Sequence, residues 1–217
     1  MTWFTYGPDA LLGQFADRIG EEAFARSRAI VAELENHPPP GLVEFVPAFT
    51  RVLLEFDPDE VPDARQIAPA LTDRLEAAAG VEMEPAPLKE IHIVYDGPDL
   101  ERVAQAHDLS QEEVCRLHCE PIYRVYLLGF SPGFPYLGEL NPRLHTPRLS
   151  SPRSRVPAGS VGIGGEHTGI YTVESPGGWN IIGHTTEKVF DPGRSHSGGD
   201  EAMFLLKQGD RVRFVPV

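Results

Sequence analysis

The residue types best suited to chemistry in this chain are concentrated between positions 129 and 185. This segment holds four arginines, no lysine, no aspartate and three glutamates, so its net charge is +1 in a chain whose net charge is −13. A guanidinium group can contact carboxylate or phosphate through two parallel hydrogen bonds. The segment is therefore predicted to hold a small anion. Chance composition in a loop-rich region and pairing of the arginines with surface acids remain as alternatives.

Glycine and proline are concentrated in the same segment, which holds eleven of the 21 glycines and seven of the 21 prolines. Residues 156–160 and 175–179 are predicted to form rigid turns, and successive N–H groups in such turns can bind an anion. Aromatic residues would supply the apolar walls of the pocket. A β-barrel with tight corners would show the same composition. The predicted binding residues are Phe130, Gly133, Phe134, Pro157, Gly159, Ser160, Ser175, Gly177, Gly178 and Trp179.

The pattern G-x-S-x-G at residues 129–133 matches the nucleophile elbow of serine hydrolases. In that elbow a helix follows the serine, and the N–H group of the next residue belongs to the oxyanion hole. Pro132 has no N–H group, and residues 133–135 do not begin an amphipathic helix. A nucleophilic role for Ser131 is therefore not predicted.

Three further patterns could indicate a metal or a cofactor. Cys115, His118 and Cys119 share one helix face, but no second ligand pair follows at zinc-like spacing, so no metal is predicted. Residues 162–167 lack the third glycine and the helix of a dinucleotide site, and no Walker A sequence occurs, so no ATP site is recognised. Phe204 stands where a biotin-attachment site needs lysine, so no biotin attachment is expected.

The composition limits the partners and the cellular location. A net charge of −13 argues against nucleic acid and anionic membranes as partners, because phosphate binding needs a basic surface. No window approaches the roughly 20 apolar residues of a membrane helix, and the N-terminus lacks the pattern of a signal peptide. With only two cysteines, a reduced cytoplasmic setting is expected.

The elements that would position this site fall into an α+β arrangement. Residues 1–96 read as strand, helix from Asp9, two strands, a helix over 63–79 that Gly80 ends, and a strand at 89–95. This order predicts a ferredoxin-like βαββαβ domain at residues 1–97. A helical connector follows at 98–120, with Ser110 and Glu113 at capping-box spacing. Short β-rich pieces separated by Gly and Pro predict a β-barrel or sandwich at 121–217.

Several motifs in order resemble the allophanate hydrolase subunit 1 family. The resemblance implies a cyclophilin-like β-barrel for the C-terminal domain and agrees with the ferredoxin-like N-terminal domain. The sequence departs from the family pattern at His167, Thr172 and His184, which puts the substrate in doubt if these side chains touch it. The motifs that carry the resemblance are residues 129–138, 146–148, 151–153, 155–161, 168–171, 175–179 and 209–214.

The resemblance also implies an activity. Some members of the family are subunits of an ATP-dependent 5-oxoprolinase, which opens 5-oxoproline to glutamate with ATP hydrolysis through the joint action of subunits A, B and C. A chain of this kind would be a hydrolase subunit that is inactive alone, with subunits A and C as partners and a small carboxylate or lactam as substrate. ATP would be used by the complex, without a recognised site on this chain.

Such a reaction needs a clamp for the carboxylate, stabilisation of the oxyanion and a proton acceptor. We assign the anion to Arg148 and Arg155, and hydrogen bonding to Ser160 and the turn at residues 177–178. His118 is the candidate base, and its alternative role is that of a packed helical residue. The family also contains Kip-type inhibitors, which bind a sensor histidine kinase, and carboxyltransferase halves that act on urea-like substrates. Both functions remain as alternatives.

Overall fold

The computed structural model describes residues 1–78 and 86–217, and the chain forms two compact units, Met1–Glu84 and Pro85–Val217. The first unit contains a four-stranded antiparallel sheet in the order β1-β2-β4-β3. Helices α1 and α2 accompany this sheet, and apolar residues from both helices enter the core of the unit, including Ile30, Leu34, Leu71 and Leu75. The elements are β1 Thr2–Thr5, β2 Ala10–Gln14, α1 Glu21–Asn36, β3 Leu42–Ala48, β4 Arg51–Phe56 and α2 Ala68–Ala77.

The helix predicted to begin at Asp9 is wrong at its start, because residues 10–14 form strand β2. Gly7 at φ 83° allows the turn that brings β2 back against β1. Gly13 then lies under the ring of Trp3, where a Cβ atom would come within 2.6 Å of that ring. Helix α1 begins only at Glu21, after Gly20. Pairing with β1 and β4 therefore overrides the apolar spacing that suggested a helix.

The βαββαβ order is not confirmed. The first unit reads ββαββα, and the strand predicted at 89–95 is β5, Leu88–Ile93, which pairs in parallel with β13, Arg211–Pro216, of the second unit. The second unit accordingly begins before residue 97. The predicted helix over 63–79 appears as a 3-10 turn, Ala64–Gln66, capped by Asp63 and followed by α2. The proposed stop at Gly80 lies outside the described residues.

The second unit is a barrel-like sheet of seven strands in the order β12-β9-β10-β7-β6-β13-β5. Its two edges meet where Val94, directly after β5, exchanges two backbone hydrogen bonds of 2.9 Å with His184 at the end of β12. The sheet is thereby nearly closed, which agrees with the barrel prediction. The remaining strands of this sheet are β6 Tyr123–Leu128, β7 Pro135–Gly138, β9 Ser160–Gly164, β10 His167–Ile170 and β12 Asn180–His184. Two further strands, β8 Arg153–Val156 and β11 Ser175–Gly177, form a separate two-stranded sheet.

Two helices of the second unit correspond to the predicted connector. Helix α3, Leu100–Ala106, packs against β12, and α4, Gln111–Cys119, packs against β13. The predicted capping box is confirmed, since Ser110 Oγ accepts from the Glu113 N–H group and the Glu113 carboxylate accepts from the Ser110 N–H group. A short helix α5, Ser195–Gly198, follows. Among the helices that the structure describes, none is long and apolar enough to cross a membrane.

Candidate functional site

An open cavity of about 350 Å³ lies where the sheet of the second unit closes. Its walls come from the segment after β5, from the turn between β8 and β9, and from β12. Three of the predicted site residues, Arg155, Pro157 and Ser160, line it together. The other lining residues are Asp96, Gly97, Pro98, Arg153, Val156, Ala158, Ile181, Gly183 and His184.

Two arginines of β8 give this cavity its positive groups. The exposed Arg155 pairs through Nε with Glu174 Oε2 at 2.6 Å. Arg153 is held more firmly, because its Nη2 donates to the buried Asp99 carboxylate at 2.8 Å and its Nη1 to the Trp179 carbonyl at 3.4 Å. Arg155, in an exposed ion pair that contributes little stability, can therefore exchange its carboxylate partner for a ligand.

Ser160 and His184 occupy paired positions on the neighbouring strands β9 and β12. The buried Ser160 lines the cavity, and no hydrogen bond to its hydroxyl is found in the described part of the chain. His184 Nδ1 lies 2.7 Å from Asp96 Oδ1. The cavity thus combines a hydroxyl, a carboxylate-bound imidazole and a guanidinium group.

The turn that contains Pro157 and Gly159 does not form the predicted anion nest. The Gly159 N–H group donates to the Tyr171 carbonyl at 2.6 Å, and the Ser160 N–H group donates to the Pro157 carbonyl at 3.3 Å. Gly159 has φ 84°, and a Cβ atom there would come within 2.4 Å of the Thr185 carbonyl oxygen. Both N–H groups are therefore used in backbone hydrogen bonds within the barrel. Of this turn, Pro157 and Ser160 line the cavity.

Arg148 and the predicted aromatic walls form a separate cluster. Phe134 and Trp179 are buried, with ring centroids 5.4 Å apart, and the Arg148 guanidinium lies 5.8 Å from the Trp179 ring. Phe130 is 63% exposed at φ 71° and packs its edge against Phe134. Only Phe130 of these three aromatic residues offers a large exposed face. Tyr136 and Tyr171 complete the cluster.

The remaining predicted binding residues shape turns. A Cβ atom on Gly177 would lie 2.2 Å from the Tyr171 hydroxyl, and the Gly178 carbonyl accepts from the Leu149 N–H group at 2.7 Å. Gly133 has φ 71° and lies against Phe204. Ser175 differs from these glycines because it has a side chain that could bind a ligand. Its buried hydroxyl has no hydrogen-bond partner within the described residues.

Ser131, in the elbow-like pattern, has Thr172 as its side-chain partner, with 3.3 Å between the two hydroxyl oxygens. Thr172 in turn donates to the Pro132 carbonyl at 2.6 Å. This contact belongs to a turn in which the Phe134 N–H group donates to the Ser131 carbonyl. The geometry agrees with the sequence argument against a nucleophilic serine.

His118 lies in the barrel core, and hydrogen bonds occupy both of its ring nitrogens. Thr168 Oγ1 donates to the Gly162 carbonyl, so it accepts from His118 Nε2–H at 2.8 Å. His118 Nδ1 is then the acceptor of the Tyr95 hydroxyl at 2.6 Å, and the Tyr95 oxygen accepts from Cys119 at 3.0 Å. The donors and acceptors in this series of hydrogen bonds determine the tautomer of His118.

Complete burial lowers the pKa of His118 to about 3. The ring packs on Phe214 with centroids 4.6 Å apart, and it is not on the cavity that holds Arg155. A neutral imidazole without a free nitrogen or access to solvent cannot take a proton from a substrate in this conformation. The structure therefore gives His118 a structural place and brings neither Arg148 nor Arg155 into contact with it.

Metal coordination finds no support in the described ranges, where no group of three or more His, Cys, Asp or Glu side chains could hold an ion. Cys115 and Cys119 are free thiols on α4. Burial raises the pKa of Cys115 to about 11 and also raises that of Cys119. Both cysteines are thus protonated at neutral pH, which makes them poor ligands and poor nucleophiles.

Sequence reasoning missed two acids, Asp96 and Asp99, which contact His184 and Arg153 at the cavity. Both follow β5 around Gly97 and Pro98, a stretch that reads as an ordinary strand end. Their role depends on contact with β8 and β12, more than 50 residues away. The one sequence signal was the unusual His184 before Thr185.

A family model described as carboxyltransferase domain, subdomain C and D, matches residues 1–198 of this chain. The chain belongs to this family. It is 38% identical to the 5-oxoprolinase subunit designated B in Bacillus subtilis, over 97% of this chain and 90% of the relative. It is 53% identical to the 5-oxoprolinase subunit of the same designation in Escherichia coli O157:H7, over 58% of this chain and 57% of the relative.

A solved structure of similar fold is that of the protein TTHA0988, with a TM-score of 0.77 and 42% identity over 96% of this chain. This carboxyltransferase-family chain spans only 40% of TTHA0988. The region that this chain matches therefore makes up most of the B. subtilis relative and less than half of TTHA0988.

Proposed function

We propose that this chain is a subunit of an ATP-dependent 5-oxoprolinase, which converts 5-oxo-L-proline, ATP and water to L-glutamate, ADP and phosphate. The observation that carries the proposal is the match to the 5-oxoprolinase subunit of B. subtilis along nearly the whole of both chains. In this proposal the chain is cytoplasmic, acts with subunits A and C, and is inactive alone. We assign its barrel to the cyclophilin-like class.

The cavity at the barrel closure supports this activity. Its volume of about 350 Å³ suits a small ligand, since such sites span roughly 300–1,000 Å³. 5-Oxoproline carries a carboxylate and a lactam, so it needs a cation at one end and hydrogen-bonding groups at the other. Arg155 provides the cation, and Ser160 lies in the same wall as a hydrogen-bond donor for the lactam oxygen.

Arg148 does not line this cavity, and we assign it a different role. Its guanidinium lies over Trp179, in the aromatic cluster to which the exposed ring of Phe130 also belongs. An arginine and an exposed aromatic ring in one cluster are a common composition for the centre of a protein interface. We therefore assign Arg148 and Phe130 to contact with a partner subunit, which would also cover the open cavity.

Reconstitution tests the proposal. Subunits A and C with this chain should release glutamate from 5-oxoproline only when ATP is present, and omission of this chain should abolish the release. ATP hydrolysis without glutamate, or glutamate release that does not need the chain, would reject the proposal. Stoichiometric inhibition of a sensor histidine kinase by a chain inactive in this assay would support the Kip-type alternative. Turnover of urea that depends on a biotin protein would support a carboxyltransferase half.

A further inference from the structure

We propose that His184, oriented by Asp96, is the catalytic group that takes and returns a proton in the cavity at the barrel closure. This inference rests on the proposed function and names the residue that would perform its proton transfer. Neither residue is among the site residues predicted from the sequence. The proposal is based on the positions of Asp96, His184 and Ser160, which lie on neighbouring chain segments and line the same cavity.

Closure of the sheet creates this alignment. His184 pairs with Val94 on one side and with Ser160 on the other, so three chain segments meet side by side. Asp96 lies two residues after Val94, and its Oδ1 is 2.7 Å from His184 Nδ1. All three polar side chains line the cavity with Arg155. The position of the dyad is therefore fixed by backbone pairing as well as by its own hydrogen bond.

The hydrogen bond to Asp96 selects one tautomer of the neutral His184 ring. A carboxylate only accepts, so Nδ1 carries the hydrogen and Nε2 presents a lone pair. No hydrogen-bond partner of Nε2 is found within the described parts of the chain. An imidazole oriented by a carboxylate through one nitrogen, with the other nitrogen free, is the arrangement that a general base needs.

The buried histidine of the barrel core, His118, contrasts with this arrangement. His118 is buried and uses both nitrogens, whereas His184 is 44% exposed at its side chain and uses one. His92 resembles His184 chemically, because its Nδ1 lies 3.0 Å from Glu187 Oε1, but it does not line the cavity. Of these three histidines, only His184 both contacts a carboxylate through one ring nitrogen and lines the cavity.

The proposed step follows transfer of a phosphoryl group from ATP to the lactam oxygen in the complex, which releases ADP and leaves a carbon–nitrogen double bond. His184 Nε2 takes a proton from water while the water oxygen bonds to this carbon, and the electron pair of the C=N bond moves to the nitrogen. When the C–N bond breaks, the imidazolium returns its proton to the leaving nitrogen, and the added hydroxyl loses its proton to solvent as the carbonyl forms. The products are an amine and an acyl phosphate, which a second water hydrolyses to carboxylate and phosphate, and the imidazole is regenerated. Arg155 would hold the substrate carboxylate, and Ser160 would donate to the oxygen that carries the phosphoryl group.

The test uses the reconstituted complex of this chain with subunits A and C. His184→Gln should lower kcat for glutamate release about 100-fold and change KM less than twofold, since general acid–base catalysis contributes roughly 10²–10⁴-fold. His184→Ala should regain activity when free imidazole is added. Asp96→Asn should lower kcat about tenfold, because the amide no longer selects the tautomer.

His92→Gln is the matched control and should retain wild-type kcat. Imidazole rescue is the decisive readout, because a residue that only supports the fold would not respond to it. Wild-type kcat in His184→Gln, or loss of activity in His184→Ala that imidazole does not relieve, would overturn the assignment. Both outcomes leave the proposed function standing, which instead fails if the wild-type complex releases no glutamate.

Discussion

Asp99 and Arg153 form an ion pair of 2.8 Å that ties β8 to the segment before α3. The second oxygen of the buried Asp99 carboxylate accepts from the Ile181 N–H group at 2.7 Å. A single side chain therefore connects the strand that bears Arg155 to β12, which bears His184. The pair positions the cavity without having to touch a ligand.

Replacement of Asp99 with alanine should lower the free energy of unfolding of the second unit by about 3 kcal/mol, because it leaves the Ile181 N–H group and the Arg153 guanidinium without their acceptor. Guanidinium-induced unfolding followed by Trp179 fluorescence, in a Trp3→Phe background, measures this change. Glu101→Ala is the control, since Glu101 is exposed and, among the residues that the structure describes, accepts from Gln105 alone, so its effect should stay within about 0.5 kcal/mol. Equal losses in the two variants would contradict the role of Asp99.

Gly159 and Gly165 give a matched pair of substitutions in the barrel. Both have positive φ, but a Cβ atom on Gly159 would lie 2.4 Å from the Thr185 carbonyl oxygen, whereas one on Gly165 would meet nothing within 4 Å. Gly165→Ala should cost about 1 kcal/mol in unfolding free energy from backbone strain alone. Gly159→Ala should cost at least twice as much, because the Thr185 backbone must also move. Thermal unfolding of both variants provides the comparison, and equal costs would refute the close approach.

The burial of His118 predicts an acid-sensitive barrel. Its pKa falls from 6.5 to about 3, so the unfolded chain binds an additional proton between these values. The contribution of neutral His118 to the free energy of unfolding is therefore complete above pH 6.5 and is lost as the pH falls towards 3. For one proton, the contribution of His118 should decrease by about 2 kcal/mol between pH 7 and pH 5.

The His118→Gln variant lacks this titration and keeps a hydrogen-bonding side chain. Its unfolding free energy at pH 7 should be lower than that of the wild type, and the difference between the two proteins should shrink by about 2 kcal/mol at pH 5. Denaturant unfolding at both pH values measures this. A constant difference would show that His118 titrates normally and would contradict its burial as a neutral ring.

Local signals in the sequence identified several elements correctly. The capping box at Ser110 is confirmed, because it depends on two residues three positions apart, and helix α2 lies within the range predicted at 63–79. The helix predicted from Asp9 was wrong at its start, because apolar residues spaced four positions apart do not reveal that β2 pairs with β1 and β4. Likewise, β5 was assigned to the first domain because its parallel partner β13 lies more than 110 residues away.

The site shows the same division between local and distant information. Turn chemistry led to Pro157, Gly159 and Ser160, and the structure places Pro157 and Ser160 on the cavity. It could not show that the Gly159 N–H group is used by Tyr171, or that Asp96 would reach His184. The Gly159–Tyr171 hydrogen bond depends on the pairing of β9 with β10, and the Asp96–His184 contact follows from the closure of the barrel, which joins residues about 90 positions apart.

The most direct test of the account is the KM for 5-oxoproline in the reconstituted complex, measured with Arg155→Ala and with Arg143→Ala as control. Arg143 is an exposed arginine of the same segment that does not line the cavity. Loss of a charged hydrogen bond costs about 1.5–3 kcal/mol, so Arg155→Ala should raise KM by about tenfold or more. Arg143→Ala should leave KM unchanged. Identical KM values in both variants and the wild type would contradict the assignment of this cavity as the substrate site.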